Sequence, residues 1–519
     1  MRCAALALVV PLALVAALPA AAAEWTPGPL RATTATLRAV LAANARAEGI
    51  SLPAFAQRRE RYVYRSGTRS LPVEVLVDGD DYRASVQVGD ARYLAGRLRG
   101  VVWRADANGV AHVTRSDLQG DPLDRIPRSL FAFDPADCAL AGETADAKPA
   151  WVVVDRPPGE KPHWFFVDRA SALIVRETTR VGKRTVTTTF DDFAPLAGAL
   201  RPRRWSVRDD ERADDLDVRV EAVEPGPVDP ASLAPPANAR VFAPRDPAAS
   251  VVPLPARFDH ASAVLDVDLA GHRARFLLDT GTASIILDRD LAARWGFAAV
   301  LGHASVPRMT VGGLVRDDVS VLTAPLHGGF GEIDGILGYD FFVGNVVHLD
   351  YGRRRVEVYA RDAAANVFRD SATTVLAANV AEGIPLVRAG FGAAVGERFA
   401  LDTGSTHLYV FDPFAHRYAT EIAAHWTPVV FADGRYAKRE VYLEGAIALE
   451  ARRVAAFELG PARFDQITVG VQQPAAYPDA IAVPLDGIVG TDELSHFDLW
   501  FDYDGGRIGI RTVEMTAGG

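Results

Sequence analysis

The chain has 519 residues, a formal net charge of −10, 49% hydrophobic and 24% charged residues, and two cysteines. That length implies about three units with sizeable cores, and the absence of a basic block excludes nucleic acid as a partner. Cys3 falls in the leader described next, so only Cys138 is left to the mature chain and no intramolecular disulfide is expected.

Residues 1–23 start with Arg2, run through apolar Leu6, Val9, Leu12 and Leu18, and leave through the small residues Ala20 to Ala23. This pattern predicts a secretory signal peptide and a soluble mature chain delivered across the inner membrane, into the periplasm. In residues 24–223, Leu30, Leu37, Val40, Leu41 and Ala45 make one apolar face of a helix. Strands are predicted at Pro72 to Val77, Tyr82 to Val88 and Trp164 to Val167, which gives an antiparallel sheet with an N-terminal helix. Residues 224–256 carry Pro225, Pro227, Pro230, Pro235, Pro236, Pro244, Pro247, Pro253 and Pro255, which exclude a helix or a central strand and predict a linker.

Beyond that stretch the chain repeats itself. Arg-Phe-Leu-Leu-Asp-Thr-Gly-Thr at Arg275 to Thr282 returns as Arg-Phe-Ala-Leu-Asp-Thr-Gly-Ser at Arg398 to Ser405, 123 residues on. Asp334-Gly-Ile-Leu-Gly338 returns as Asp486-Gly-Ile-Val-Gly490, and Asp350-Tyr351 as Asp502-Tyr503, both 152 residues on. The repeat unit is therefore a lobe, predicted at 257–362 and again at 363–515. The two offsets differ by 29, so the second lobe carries that many extra residues, expected within Ala419 to Gly470. Short runs such as Ala263 to Leu269, Val346 to Leu349 and Arg507 to Ile510, bounded by Gly, Asp and Pro, predict β-barrels.

Two buried aspartates about 3 Å apart cannot both ionise, so such a pair shares one proton near working pH. One member can activate a water while the other protonates a carbonyl, with no metal or cofactor. In this reading Asp279 and Asp402 are the pair. Gly281 and Gly404 let the backbone turn where a Cβ would crowd the approach. Thr280 and Thr403 are expected to hydrogen-bond across the lobe interface. Thr282 and Ser405 are expected to offer hydroxyls to the carboxylates.

Leu277-Leu-Asp-Thr-Gly-Thr282 and Leu401-Asp-Thr-Gly-Ser-Thr-His-Leu-Tyr-Val410 resemble the active-site loops of the pepsin-like and retropepsin-like aspartic peptidases. The Gly-Ile-Leu-Gly and Gly-Ile-Val-Gly segments look like that clan's second conserved element, and the resemblance covers about Phe258 to Val513. It implies one catalytic aspartate per lobe, gripping threonines at 280 and 403, and a cleft for a peptide or protein substrate between two fused retropepsin-like barrels. Because both aspartates come from one chain, a monomer suffices. No tyrosine lies between Asp279 and Asp334 where a pepsin-like flap would present one. A hairpin around Met309 to Leu314 is the candidate flap, with Thr310 and Val311 leading into a Gly312-Gly313 turn.

The rival reading keeps both loops as scaffold in a non-catalytic peptide- or lipid-binding carrier of the cell envelope. The histidines show no metal-ligand spacing, His407 reads as a loop residue, and Cys138 reads as a small hydrophobe. No nucleophile-elbow pattern is present. Phe166-Val-Asp-Arg169, Leu173-Ile-Val-Arg176, the run from Thr187 to Phe193 leading to Arg201-Pro202, and Trp103 before Asn108-Gly109 resemble the strand pattern of the periplasmic lipoprotein-carrier superfamily. That resemblance implies an antiparallel half-barrel able to take a hydrophobic ligand.

Overall fold

The computed structural model describes residues 26–513 except 50–55, 80, 89–90, 114–134, 157–161, 182–183, 210–214, 237–240, 300–301, 327–331, 381–382, 430–439, 443–444, 448 and 473–484. The expected signal peptide lies outside the described residues. Among these, no helix is long and apolar enough to cross a membrane. The chain is mainly β, built from large antiparallel sheets and two closed barrels, with one helix near its N-terminus.

The N-terminal part is a 14-stranded antiparallel sheet, with Leu30–Arg31 at one edge and Gly109–Val113 at the other. The helix Leu37–Glu48 lies against it. Thr36 starts that helix by accepting a hydrogen bond from the Ala39 N–H at 3.3 Å, and Gly49, at φ 64°, ends it. Leu30 is not on this helix, because the Thr36 cap opens it only at Leu37. Leu30 instead pairs with Thr144 in the sheet and packs against the cluster of Ala150, Val152, Val154, Trp164 and Phe166. The face under the helix is filled by Val40, Tyr62, Tyr64, Phe165 and Trp205, all buried. Burial of each such side chain stabilises the fold by roughly 1.5–3 kcal/mol.

Each lobe closes into a six-stranded barrel. In lobe 1 the ring runs Ser262–Leu269, His272–Leu278, Gly335–Leu337, Ile286–Asp288, Leu314–Ala324, His303–Val311 and back to the first strand. In lobe 2 the same ring is made by Leu386–Phe391, Ala394–Leu401, Gly487–Val489, Tyr409–Val410, Ala462–Gln472 and Leu449–Leu459. Closure removes the exposed edges an open sheet would leave. Helix Arg289–Arg294 of lobe 1 has its repeat equivalent in Asp412–Arg417, and between that helix and Leu449–Leu459 lobe 2 adds helix Ala419–His425 and a small hairpin, Glu440–Tyr442 with Gly445–Ile447.

A six-stranded sheet joins the lobes in the order Val251–Leu254, Arg355–Tyr359, Val346–Asp350, Phe497–Asp502, Arg507–Thr512, Thr374–Ala377. Its central strands are repeat-equivalent and antiparallel. His348 therefore faces its own counterpart Trp500, stacked at 4.2 Å and 6°.

The proline-rich stretch does not form a free tether. Val228 and Leu233 pack on Leu76 of the N-terminal sheet. Phe242 is fully buried in the lobe core against Phe341, with ring centroids 5.2 Å apart, and the Asn345 side chain donates to its carbonyl at 2.8 Å. Ala243–Pro244 pairs with strand Leu314–Ala324, and Val251–Leu254 forms an outer strand of the interlobe sheet. Proline removes one donor N–H but is tolerated at an edge, where that donor has no ladder partner to serve.

Candidate active site

The two Asp-Thr-Gly loops follow strands His272–Leu278 and Ala394–Leu401. Each aspartate is anchored by the strand that crosses beside it: Asp279 N–H donates to Leu337 O and Asp402 N–H to Val489 O, both at 3.0 Å. The glycines of the second element allow this crossing, because a Cβ on Gly338 would overlap the Thr282 and Ser284 carbonyls, and one on Gly490 the backbone of Thr406 and His407.

The loops meet through their threonines. Thr280 and Thr403 are 0% and 1% exposed. Thr280 Oγ1 donates to Leu401 O at 2.5 Å and accepts from the Thr403 N–H at 3.0 Å. Thr403 Oγ1 donates to Leu278 O at 2.9 Å and accepts from the Thr280 N–H at 3.1 Å. Every polar group in this seam is satisfied from the opposite lobe, so separating the lobes leaves all of them unpaired.

Above this seam the carboxyls of Asp279 and Asp402 lie within hydrogen-bonding reach of each other, and both residues are 8% exposed. Each glycine lies against the other loop's aspartate. A Cβ on Gly281 would collide with the Asp402 carboxyl, and one on Gly404 with that of Asp279. Asp279 Oδ1 accepts from the Gly281 N–H at 2.7 Å and Oδ2 from the Thr282 hydroxyl at 2.6 Å. Asp402 Oδ1 accepts from the Gly404 and Ser405 N–H groups at 2.8 and 3.1 Å. Ser405 thus reaches its aspartate through the backbone rather than through the expected hydroxyl.

This difference polarises the pair. Burial raises both carboxyls above the usual range. For Asp279, the donors from Thr282, Asp402, Gly281 and Gly404 oppose the rise. For Asp402, the charge of Asp279 adds to burial, and donating a hydrogen bond to it does too. The pair therefore shares one proton, and the extra hydroxyl donor from Thr282 favours the charge on Asp279. Two tyrosines that the repeat pairs but to which the sequence reading gave no role, Tyr351 and Tyr503, lie within electrostatic reach of the dyad. Burial first, and then the dyad's charge, raises both phenols.

Thr310, Val311, Gly312 and Gly313 are not brought to this site. The hairpin His303–Val311/Leu314–Ala324 does turn at the two glycines, but its register puts Val311 beside Val267, which faces Ala274. At ~3.3 Å per residue, the five steps from Ala274 to Asp279 put the tip on the order of 16 Å from the dyad. The end that approaches the active-site loop is the base, where Leu322 pairs with Ile286. The tip is wedged into the proline-rich stretch: a Cβ on Gly312 would meet Pro255 at 2.9 Å, one on Gly313 would meet Val252 at 2.8 Å, and Arg245 N–H donates to Gly313 O at 2.9 Å.

No protein-family model matches the chain, and no curated protein matches it. Among solved structures it is similar to an aspartic proteinase from Irpex lacteus, with a TM-score of 0.33 and 15% identity over 51% of this chain and 99% of that one. Basic 7S globulin from soybean gives a TM-score of 0.32 and 13% identity over 52% and 97%. A LolA superfamily protein from Nitrosomonas europaea gives 0.31 and 13% over 39% and 98%. At these TM-scores the likenesses carry no weight for function, which rests on the geometry above.

Proposed function

We propose that the chain is an aspartic endopeptidase that hydrolyses extended peptide segments held between its two lobes, with Asp279 as base and Asp402 as acid. The observation that supports this most directly is the close approach of two buried carboxyls, each pressed against the other loop's glycine. A scaffold needs no such arrangement, because two adjacent buried carboxyls oppose folding unless one stays protonated.

In the proposed reaction a water attacks the scissile carbonyl carbon and gives a proton to Asp279, while Asp402 gives its own to the carbonyl oxygen, forming a neutral gem-diol. Asp279 then passes its proton to the amide nitrogen as the C–N bond breaks, and Asp402 recovers a proton from a gem-diol hydroxyl. The chemistry draws on two side chains and one water. The apolar leader at 1–23 supports a location across the inner membrane.

The test is cleavage of a peptide library between pH 3 and 7.5 by the purified mature protein. Asp279→Asn and Asp402→Asn should each lower kcat/KM by about a thousandfold or more, and a statine-type inhibitor should block the wild type. No cleavage by the wild type, or full activity in either variant, sinks the reading. Co-purified lipid together with peptide affinity indifferent to Asp402→Asn would favour the carrier reading.

A further inference from the structure

Beyond the dyad, one contact joins the N-terminal sheet to the active-site loop of lobe 1. The strands Val101–Asp106 and Gly109–Val113 are joined by a tight turn at Ala107-Asn108, and the Asn108 N–H is held by Asp106 Oδ1 at 2.7 Å. Asn108 is 6% exposed although it sits at a hairpin tip, because the tip is inserted into lobe 1. Its Nδ2 donates to Ser320 O at 2.6 Å and to Asp340 Oδ2 at 3.0 Å, and its Oδ1 accepts from the Ser320 N–H at 2.9 Å. Arg316, buried in lobe 1, donates to Ala107 O at 3.1 Å, and the Tyr93 ring lies 5.0 Å from that of His303.

Strand Leu314–Ala324 explains why an amide stands there. One of its edges is paired by Ala243–Pro244 at one end and by Ile286–Asp288 at the other. Ser320 lies between these two partners, and its N–H and C=O both go to the Asn108 carboxamide, which acts as a single residue of strand. A buried peptide group left open here would cost as much as a lost hydrogen bond. Aspartate lacks the donor, and leucine lacks both groups.

The third bond of Asn108 reaches the site. Asp340 follows Gly338 in the second conserved element, and the Oδ2 atom that accepts from Asn108 also accepts from the Ile285 N–H at 3.2 Å. Ile285 stands three residues after Thr282 in the active-site loop. Asp340 as a whole is half-buried, but its carboxyl end is enclosed between these donors. Lobe 2 solves the same problem internally. Asp492, the repeat-equivalent of Asp340, is met at 2.7 Å by His407 of its own loop. The residue of lobe 1 equivalent to His407 is Ser284, whose side chain is much shorter.

We propose that Asn108 is a positioning residue for the first active-site loop, acting through Asp340, and that the N-terminal sheet is thereby a permanent part of the catalytic unit rather than a removable segment. The effect on turnover rests on the peptidase reading, whereas the effect on the loop does not.

The experiment compares full-length wild type, Asn108→Ala, Asn108→Asp and a same-interface control, Arg69→Ala, whose exposed side chain donates to Ala299 O at 2.7 Å. Amide hydrogen exchange over residues 283–287 should be about tenfold faster in Asn108→Ala, the factor for one buried hydrogen bond. Exchange over 406–410 should not change, and Arg69→Ala should match wild type in both. In peptide cleavage, Asn108→Ala should lower kcat about tenfold with KM nearly constant, and Asn108→Asp, which sets a carboxylate against Asp340, should lower it further. If Asn108→Ala does not fold, Asn108→Ser, too short to span Ser320 and Asp340, is read in the same way. Unchanged exchange at 283–287 in a folded variant overturns the proposal, as does an equal rise at 406–410. Should the wild type cleave nothing, the peptidase reading falls alone and exchange still decides the role of Asn108.

Discussion

Thr282 and Ser405 stand at equivalent places after the two aspartates, yet Thr282 gives its hydroxyl to Asp279 and Ser405 gives its backbone N–H to Asp402. A hydroxyl directed at a carboxylate favours the charged form, so replacing it with an isosteric methyl should raise the proton affinity of Asp279. Thr282→Val is expected to move the acid limb of the pH–rate profile upward by about one unit, since one unit equals ~1.4 kcal/mol, the scale of one such bond. Measured kcat/KM from pH 3 to 7.5 checks this, and an unmoved acid limb would refute the assignment of Asp279 as the ionised partner. The two aspartates were legible in the sequence because an Asp-Thr-Gly loop is a local pattern that occurs twice. Asn108 was not, because its partners Ser320 and Asp340 lie 212 and 232 residues away and nothing in Ala-Asn-Gly distinguishes an inserted tip from an ordinary turn.

At the scale of elements, the duplicated lobe showed in the sequence through its offsets, and the barrels follow from strand runs of period two. Two expectations failed for one physical reason. The proline-rich stretch was read as a linker, and the hairpin turning at Gly312-Gly313 as a candidate flap. In the folded chain the proline segments supply edge strands, and the turn packs against them. Tertiary pairing decides such positions, and local propensity does not report it. Phe242 measures how far the stretch belongs to the core. Phe242→Ala should destabilise the protein by about 3–5 kcal/mol, visible as a lower denaturant midpoint, whereas a truly free linker would tolerate it within ~0.5 kcal/mol. The threonine seam is tested by Thr403→Val, which removes the donor to Leu278 O and the acceptor for Thr280 N–H. A loss of about 1–3 kcal/mol is expected in the same titration.

For the whole molecule, several buried and half-buried acids carry raised proton affinities. Burial, with Asp106 nearby, lifts Asp340 to about 7. Burial, with Asp350 beside it, lifts Asp498 to about 6. Burial, with Asp492 adjacent, lifts Glu493 to about 8. In each case the folded state holds a proton that the unfolded chain releases near pH 4. Their stabilising contribution is complete below that pH and is lost as pH rises through about 6 to 8. The melting temperature is therefore expected to fall steadily from pH 4 to 8, and Glu493→Gln should flatten the upper part of that slope. A melting temperature that rises over this range would contradict the placement of these groups.

The stacked pair at the centre of the interlobe sheet has a further meaning. His348 and Trp500 are the same position of the repeat, meeting across an approximate two-fold axis. Two identical half-chains assembled in this way would have to set histidine on histidine or tryptophan on tryptophan, because an isologous contact repeats each residue on its partner. A continuous chain is released from that rule. The same release lets threonine follow one aspartate and serine the other, so the two carboxyls are chemically distinct before any substrate arrives. Which lobe holds the proton is then a property of the covalent sequence, whereas a symmetric dimer would have to acquire that distinction from whatever it bound.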